Sequence, residues 1–292
     1  MTRWDTSNLA DQSGRTFIVT GANSGLGAET VRALAGAGAE VVLACRNLAK
    51  GEQVAAELGD RAQVRRLDLA DLASVREFAE GVDRADVLIN NAGVMALPEG
   101  RTADGFERQI GTNHLGHFAL TGLLLDKIAD RIVTVSSGAH QMGTIDLDDL
   151  NWERRKYQRW PAYAQAKLAN LMFARELQRR LTAAGSRKIS VAAHPGYAAT
   201  ELQSHTESFQ DKVMALGNRL LAQSAAMGAL PSLYAATADV EPGGFYGPSG
   251  FGGFRGYPVP SGSSKASRDE KVAGELWELS EKLTGVSYDF TR

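Results

Sequence analysis

Short apolar runs rich in β-branched residues recur along this chain at 16–20, 41–44, 64–67, 87–90, 132–135 and 189–193, and each gap between them can hold a helix. Parallel strands cannot be joined by a hairpin and need a crossover of a dozen or more residues. The rhythm therefore predicts a βαβ chain whose parallel sheet is covered by helices on both faces. Most runs are continuously apolar instead of alternating, as strands buried on both sides should be. The run at 64–67, with Arg65 and Arg66 at its centre, fits a sheet edge. The expected fold is α/β: a doubly wound parallel sheet in a single Rossmann-type domain over residues 1–292, a length such sheets reach as one unit.

Bulk properties exclude several functions. The 32 Lys and Arg against 34 Asp and Glu give a net charge of −2, which argues against nucleic acid or an anionic membrane as partner. Cys45 is the only cysteine, so neither an intrachain disulfide nor a Cys-rich metal site is expected. The N-terminal stretch lacks the charged-then-apolar layout of a signal peptide, and no apolar run reaches the roughly 18 residues a span requires. A cytoplasmic protein without a transmembrane segment is expected.

The strand–helix rhythm breaks twice. Residues 138–160, with Asp146, Asp148, Asp149, Arg154, Arg155 and two tryptophans, read as an exposed excursion, and the charge run Arg154, Arg155 and Lys156 as solvated surface. Beyond Pro195, residues 202–221 place Phe209, Val213, Leu216 and Leu220 at helical spacing, while 243–262 is rich in glycine and aromatics. Residues 196–262 are expected to cover the substrate. Phe245, Tyr246, Phe251, Phe254 and Tyr257 fit either the wall of an apolar pocket or a loop tucked against the core, with the pocket preferred.

The sequence TGANSGLG at 20–27 lies between the first strand and a helical pattern at 28–37. Glycines there let the backbone approach a pyrophosphate without a Cβ in the way, and a helix N-terminus offers free amides and a positive dipole end. The spacing G-x-x-x-G-x-G also suits a tight turn that binds nothing. At the end of the second strand, where a dinucleotide fold reads the adenosine ribose, stand Cys45 and Arg46 in place of an acidic residue. Arginine can pair with a 2′-phosphate, which favours NADP(H) over NAD(H); a plain surface arginine is the alternative.

Tyr163 and Lys167 are four apart in a helical pattern at 162–181 and project from one face. A phenol titrates near ~10, and bringing it to pH 7 requires roughly 4 kcal/mol, which a neighbouring ammonium helps to supply. Ser136 and Ser137 end the fifth strand, and the C-terminal ends of parallel strands converge on the ligand crevice. A serine there suits either a substrate oxygen or the cap of the next turn. His114 and His117 lack an obvious third metal ligand and read as helix packing or polar support, so no metal is expected.

Taken in order, Thr20-Gly21 with Gly25 and Gly27, Asp68-Leu69, Asn90-Asn91-Ala92-Gly93, Asn113, Ser137, Tyr163 with Lys167, and Pro195-Gly196 followed by Thr200 resemble the short-chain dehydrogenase/reductase family. The resemblance runs from about Gly14 to Gly247. It implies a catalytic tetrad of Asn113, Ser137, Tyr163 and Lys167. It also implies cofactor contacts from Gly21, Asn23, Ser24, Gly25, Leu26, Gly27, Arg46, Asp68, Leu69, Asn90, Ala92, Gly93, Tyr163, Lys167, Pro195, Gly196 and Thr200. In such enzymes the Tyr is the general acid/base, the Ser orients the substrate oxygen, the Lys assists the Tyr and binds the nicotinamide ribose, and the Asn holds a relay water.

ACRN after the second strand, the long gap between Ser137 and Tyr163, and YGPSG at 246–250 are most similar to NADP-dependent retinol dehydrogenases, WW-domain oxidoreductases and protochlorophyllide reductases. Cysteine at position 45 alone departs from the cysteine placement of the last group. The N-terminal anchor common among retinoid enzymes is not visible. The resemblance implies an NADP(H)-dependent oxidoreductase acting on a small-molecule carbonyl or alcohol, with a lipophilic substrate and a possible homo-oligomer. The competing class is a nucleotide-binding sensor or scaffold that lacks turnover, which a broken tetrad would favour.

Overall fold

The structure, a computed structural model, describes residues 3–197 and 223–291. The described residues form an eight-stranded sheet in the order β3-β2-β1-β4-β5-β6-β7-β8. The strands are β1 (Thr16–Thr20), β2 (Glu40–Cys45), β3 (Ala62–Arg66), β4 (Ala85–Asn90), β5 (Ile128–Val135), β6 (Ile189–Ala193), β7 (Phe245–Pro248) and β8 (Pro258–Pro260). All neighbours pair in parallel except β7 and β8. Strand order reverses between β1 and β4, and such a switch point opens a crevice beyond the strands' carboxyl ends.

Alternation along β1 divides the core. Phe17 and Val19 face one layer, where α1 (Gly25–Gly36) and α7 (Ala225–Thr237) bring Val31, Leu34 and Leu233. Ile18 faces the other, where α3 (Leu72–Glu80), α5 (Gly116–Leu124), α6 (Arg159–Ala183) and α8 (Glu270–Thr284) bring Phe78, Phe118, Phe173 and Trp277. The remaining helices are α2 (Leu48–Ala56) and the short α4 (Arg108–Ile110). As expected, β3 is an edge strand, and its Arg65 reaches across to donate to the carbonyl of Gly81.

Three expectations need correction. Helix α6 starts at Arg159 and α1 at Gly25, each three residues before its apolar pattern, because apolar periodicity marks where a helix packs and not where it begins. The excursion is anchored, not simply exposed: Leu150 and Trp152 are buried, and Asp149 accepts the backbone amides of Glu153, Arg154 and Arg155. Arg155 is no free surface charge, since it stacks 3.7 Å over the Trp152 ring and donates to Gln165 Oε1 on α6.

The third correction concerns the aromatic-rich stretch. Phe245 and Tyr246 are sheet residues of β7, and among the described residues they pack in the core against Leu171 and Ala192 and against Tyr234. Phe251 is 98% exposed and Phe254 is 56% exposed on the loop before β8. The Arg3 guanidinium stacks on the Tyr257 ring. The two prolines of β8 lie at the sheet edge, where a residue without an N–H blunts further pairing. Of the expected covering stretch, 198–222 lies outside the described residues, and with it Thr200, Phe209, Val213, Leu216 and Leu220.

Candidate active site

Beyond the ends of β1, β2 and β4 lies a groove of about 370 Å³, lined by Gly21 and 23–27, by 44–47 and Lys50, by 67–69, and by 91–95 with Thr112. Its floor is built for close backbone approach. Gly21 has φ +67°, and a Cβ on Gly27 would stand 2.3 Å from the carbonyl oxygen of Gly21 and 2.7 Å from Asn91 Nδ2. Only glycine at these two positions permits so close an approach, and the loop opens directly onto the N-terminus of α1. The residues present thus fit the pyrophosphate of a dinucleotide.

Thr20 ties this loop to the next strand. Its Oγ1 accepts the backbone amides of Asn91 and Ala92, and Asn91 Nδ2 donates to the Thr20 carbonyl. His117 completes the knot: its Nε2 lies 2.9 Å from Thr20 Oγ1 and its Nδ1 2.9 Å from the carbonyl of Asn113. Burial, foremost, pushes the His117 ring down to about 4, so it is neutral at pH 7. His114, held by Ser280 Oγ and pushed down to about 3 by burial, packs against α8. No metal-binding cluster of His, Cys, Asp or Glu occurs among the described residues.

Asn113 sits in a π-helical turn, Gly111–Leu115, between α4 and α5. Its amide clamps Val94 from both sides, accepting from Val94 N at 2.7 Å and donating to Val94 O at 2.9 Å. Gly93, on the groove wall, separates the groove from Asn113 and Lys167. A Cβ there would lie 3.3 Å from both Asn113 Oδ1 and Lys167 Nζ.

Lys167 is buried in α6 and donates to the carbonyl of Val135, at the end of β5, which burial pairs with a pKa pushed down to about 8. Ser136 Oγ donates to the Lys167 carbonyl, locking helix to strand end. Ser137, the next residue, stands where it opposes the rise in the Tyr163 pKa, and it caps the following turn by accepting from Ala139 N. The cap expected of that serine is therefore present.

Tyr163 departs from expectation. Burial raises its pKa above the ordinary phenol value, Ser137 works against that rise, and Lys167 Nζ stands 5.9 Å from the ring centroid. In the protein alone desolvation prevails, and the hydroxyl is protonated at neutral pH. That is the form that donates a proton.

Most other expected residues line the groove: Asn23, Ser24, Gly25, Leu26, Arg46, Asp68, Leu69, Ala92 and Gly93. Asn90 does not, for its side chain is fully buried against Thr121, and Asn91 takes the place at the wall. Pro195 and Gly196 close the end of β6, where Gln223 Nε2 donates to the Pro195 carbonyl and Gly196 takes φ +66°. Sequence reasoning missed Asn47, Lys50, Asn91, Val94, Met95 and Thr112 as groove residues. The double Asn at 90–91 carried the signal for Asn91, since strand alternation sends only one of two neighbours inward. Cys45 also lines the groove, but burial pushes its thiol up to about 11.

A parallel sheet, a glycine cradle at the switch point, and a Tyr–Ser pair with a buried Lys at the adjacent strand end define a dinucleotide-dependent oxidoreductase. Comparison with known proteins makes the class specific. The short chain dehydrogenase family model matches residues 15–211, and the chain belongs to that family. It is 45% identical to human retinol dehydrogenase 13, over 94% of this chain and 85% of that protein, and 42% identical to human retinol dehydrogenase 12, over 94% and 88%. Among solved structures, an uncharacterised protein from Mycobacterium paratuberculosis is 51% identical with a TM-score of 0.87, covering 99% of this chain and all of the other. Among the described residues, no helix is long and apolar enough to cross a membrane.

Proposed function

We propose that the chain is an NADP(H)-dependent enzyme that interconverts a lipophilic carbonyl compound and its alcohol. The observation that carries this reading is the placement of Ser137 against the Tyr163 phenol at the end of β5, with buried Lys167 reaching the groove wall at Gly93. The groove residues of the glycine loop, with Asp68, Leu69 and Lys167, would hold the dinucleotide. When bound, it supplies or takes up the hydride.

In the reducing direction the Tyr163 hydroxyl donates its proton to the carbonyl oxygen as charge develops there. Ser137 orients and stabilises that oxygen. Lys167 lowers the cost of the phenolate left behind, and its bond to Val135 O fixes where its charge sits. Asn113 holds the Val94 segment in place, and the relay water assigned to it by resemblance would have to share its carbonyl with His117.

Two features support the finer assignments. Arg46 is exposed at the rim of the groove, close in sequence to Lys50, and no carboxylate follows Cys45, which supports NADP(H). The Trp160 ring meets Tyr163 edge-on at 6.3 Å, an apolar flank beside the acid/base, and the relatives named above are retinol dehydrogenases. NADPH consumption with all-trans-retinal, long-chain aldehydes, steroids and quinones tests the proposal. Turnover of one or more is expected; tight NADPH binding with no turnover of any would overturn it.

A further inference from the structure

His140 lies on the 3-10 turn Gly138–Met142, three residues past Ser137, and is 1% exposed. Each ring nitrogen has a backbone partner. Nδ1 lies 2.7 Å from the carbonyl oxygen of Ser137, and the backbone amide of Ser264 donates to Nε2 at 3.3 Å. A carbonyl can only accept and a backbone amide can only donate, so the proton belongs on Nδ1. The same Ser137 carbonyl also takes the His140 backbone amide at 3.1 Å. One residue therefore holds that carbonyl twice.

The surroundings keep the ring neutral and still. Phe245 packs against it at 90° and 5.3 Å. The charged or titratable groups facing it are Arg175 from α6 and His194 from the end of β6. Arg175 donates to the Ser267 carbonyl and to Ser263 Oγ, which ties down the segment that supplies the Ser264 amide. Burial, foremost, and Arg175 lower the His140 pKa. His194, bonded to Ser261 Oγ, anchors the same segment to β6.

We propose that His140 is a positioning residue that holds Ser137 in register with the Tyr163 phenol, acting as a fixed neutral imidazole braced by Ser264. It rests on the reading of Ser137 and Tyr163 as the reacting pair. Ser137 stands where β5 ends and ladder pairing stops, so its orientation depends on what grips its backbone. A displacement near 1 Å in such a group costs up to ~10²-fold in rate. Because Ser137 opposes the rise in the Tyr163 pKa, a loosened Ser137 also moves the alkaline limb of the reductive pH–rate profile to higher pH.

The test compares His140→Leu, which fills the space but donates nothing, with His140→Asn, whose amide can donate to the same carbonyl. With NADPH and all-trans-retinal, His140→Leu should lower kcat roughly 10- to 100-fold, shift the alkaline limb upward and leave the NADPH Kd within about twofold. His140→Asn should restore most of the rate. Added to Ser137→Ala, His140→Leu should cost little more. Wild-type kcat and pH profile in His140→Leu, equal losses in Leu and Asn, or full additivity with Ser137→Ala would overturn the proposal.

Nitrogen-15 NMR of the labelled histidines gives a readout free of turnover, with His140 assigned by comparison with the Asn variant. A neutral Nδ1–H tautomer at pH 7 is expected. An Nε2–H or charged ring would reject the positioning role even if retinal is not a substrate, whereas the expected tautomer without turnover would count against the activity alone.

Discussion

Asn113 and Val94 are joined by two hydrogen bonds, Val94 N to Asn113 Oδ1 at 2.7 Å and Asn113 Nδ2 to Val94 O at 2.9 Å. The amide is thus spent on the strand-end segment that walls the cofactor groove, and its worth is architectural. Asn113→Asp keeps the shape but replaces the donor with a carboxylate facing the Val94 carbonyl. A loss of at least about 2 kcal/mol of stability is expected, read from denaturant midpoints, together with a weakened NADPH Kd. Unchanged values for both would show that the clamp contributes nothing.

Gly27→Ala should nearly abolish dinucleotide binding. Its Cβ would lie 2.3 Å from the Gly21 backbone oxygen, a contact that only main-chain movement can relieve. Fluorescence titration with NADPH checks this; Gly36→Ala, with open space around its Cβ, serves as the control.

For Tyr163→Phe, only the proton-transferring hydroxyl is removed from a buried ring. A loss of ~10²-fold or more in kcat is expected with NADPH binding retained. Retention of more than about a tenth of wild-type kcat would contradict the acid/base role.

Arg46→Ala should narrow the preference for NADPH over NADH, because an exposed guanidinium at the groove rim can pair with the 2′-phosphate. Paired titrations of wild type and variant with both cofactors decide it. Equal wild-type affinities would remove the basis for NADP(H).

Lys167→Met should abolish activity yet stabilise the fold near pH 7. Burial lowers the Lys167 pKa from 10.5 to about 8, so the ammonium costs folding free energy below pH 8, where folded and unfolded chains are both charged. That cost, on the order of 3 kcal/mol, fades between pH 8 and 10.5 as the folded lysine loses its proton first, and is gone above. The Val135 carbonyl keeps its bond from Asn170 Nδ2, so the methionine leaves no orphan acceptor. Melting temperatures across pH 7–10.5 should show the gain shrinking; a gain that is absent at pH 7 or flat with pH would refute this account.

Local order made much of this protein legible. The continuous apolar runs announced buried parallel strands, the glycines at 21, 25 and 27 announced a backbone that must approach something closely, and the four-residue step from Tyr163 to Lys167 placed both on one helix face. Strands β7 and β8 were not legible, since a four-residue strand among glycines and two prolines carries no period to detect. Arg155 looked like solvated charge because its partners Asp146, Asp149 and Gln165 become neighbours only when the excursion folds back onto α6.

The sequence by itself determined the fold class and the family, because both rest on the order of elements and motifs along the chain. Tertiary structure alone decided that burial raises the Tyr163 pKa, that Asn113 is bound to Val94 and that His140 holds the Ser137 carbonyl. Desolvation and hydrogen-bond pairing depend on which segments meet across the sheet, and residues as far apart as Ser264 and His140 have no proximity until the core has closed around them.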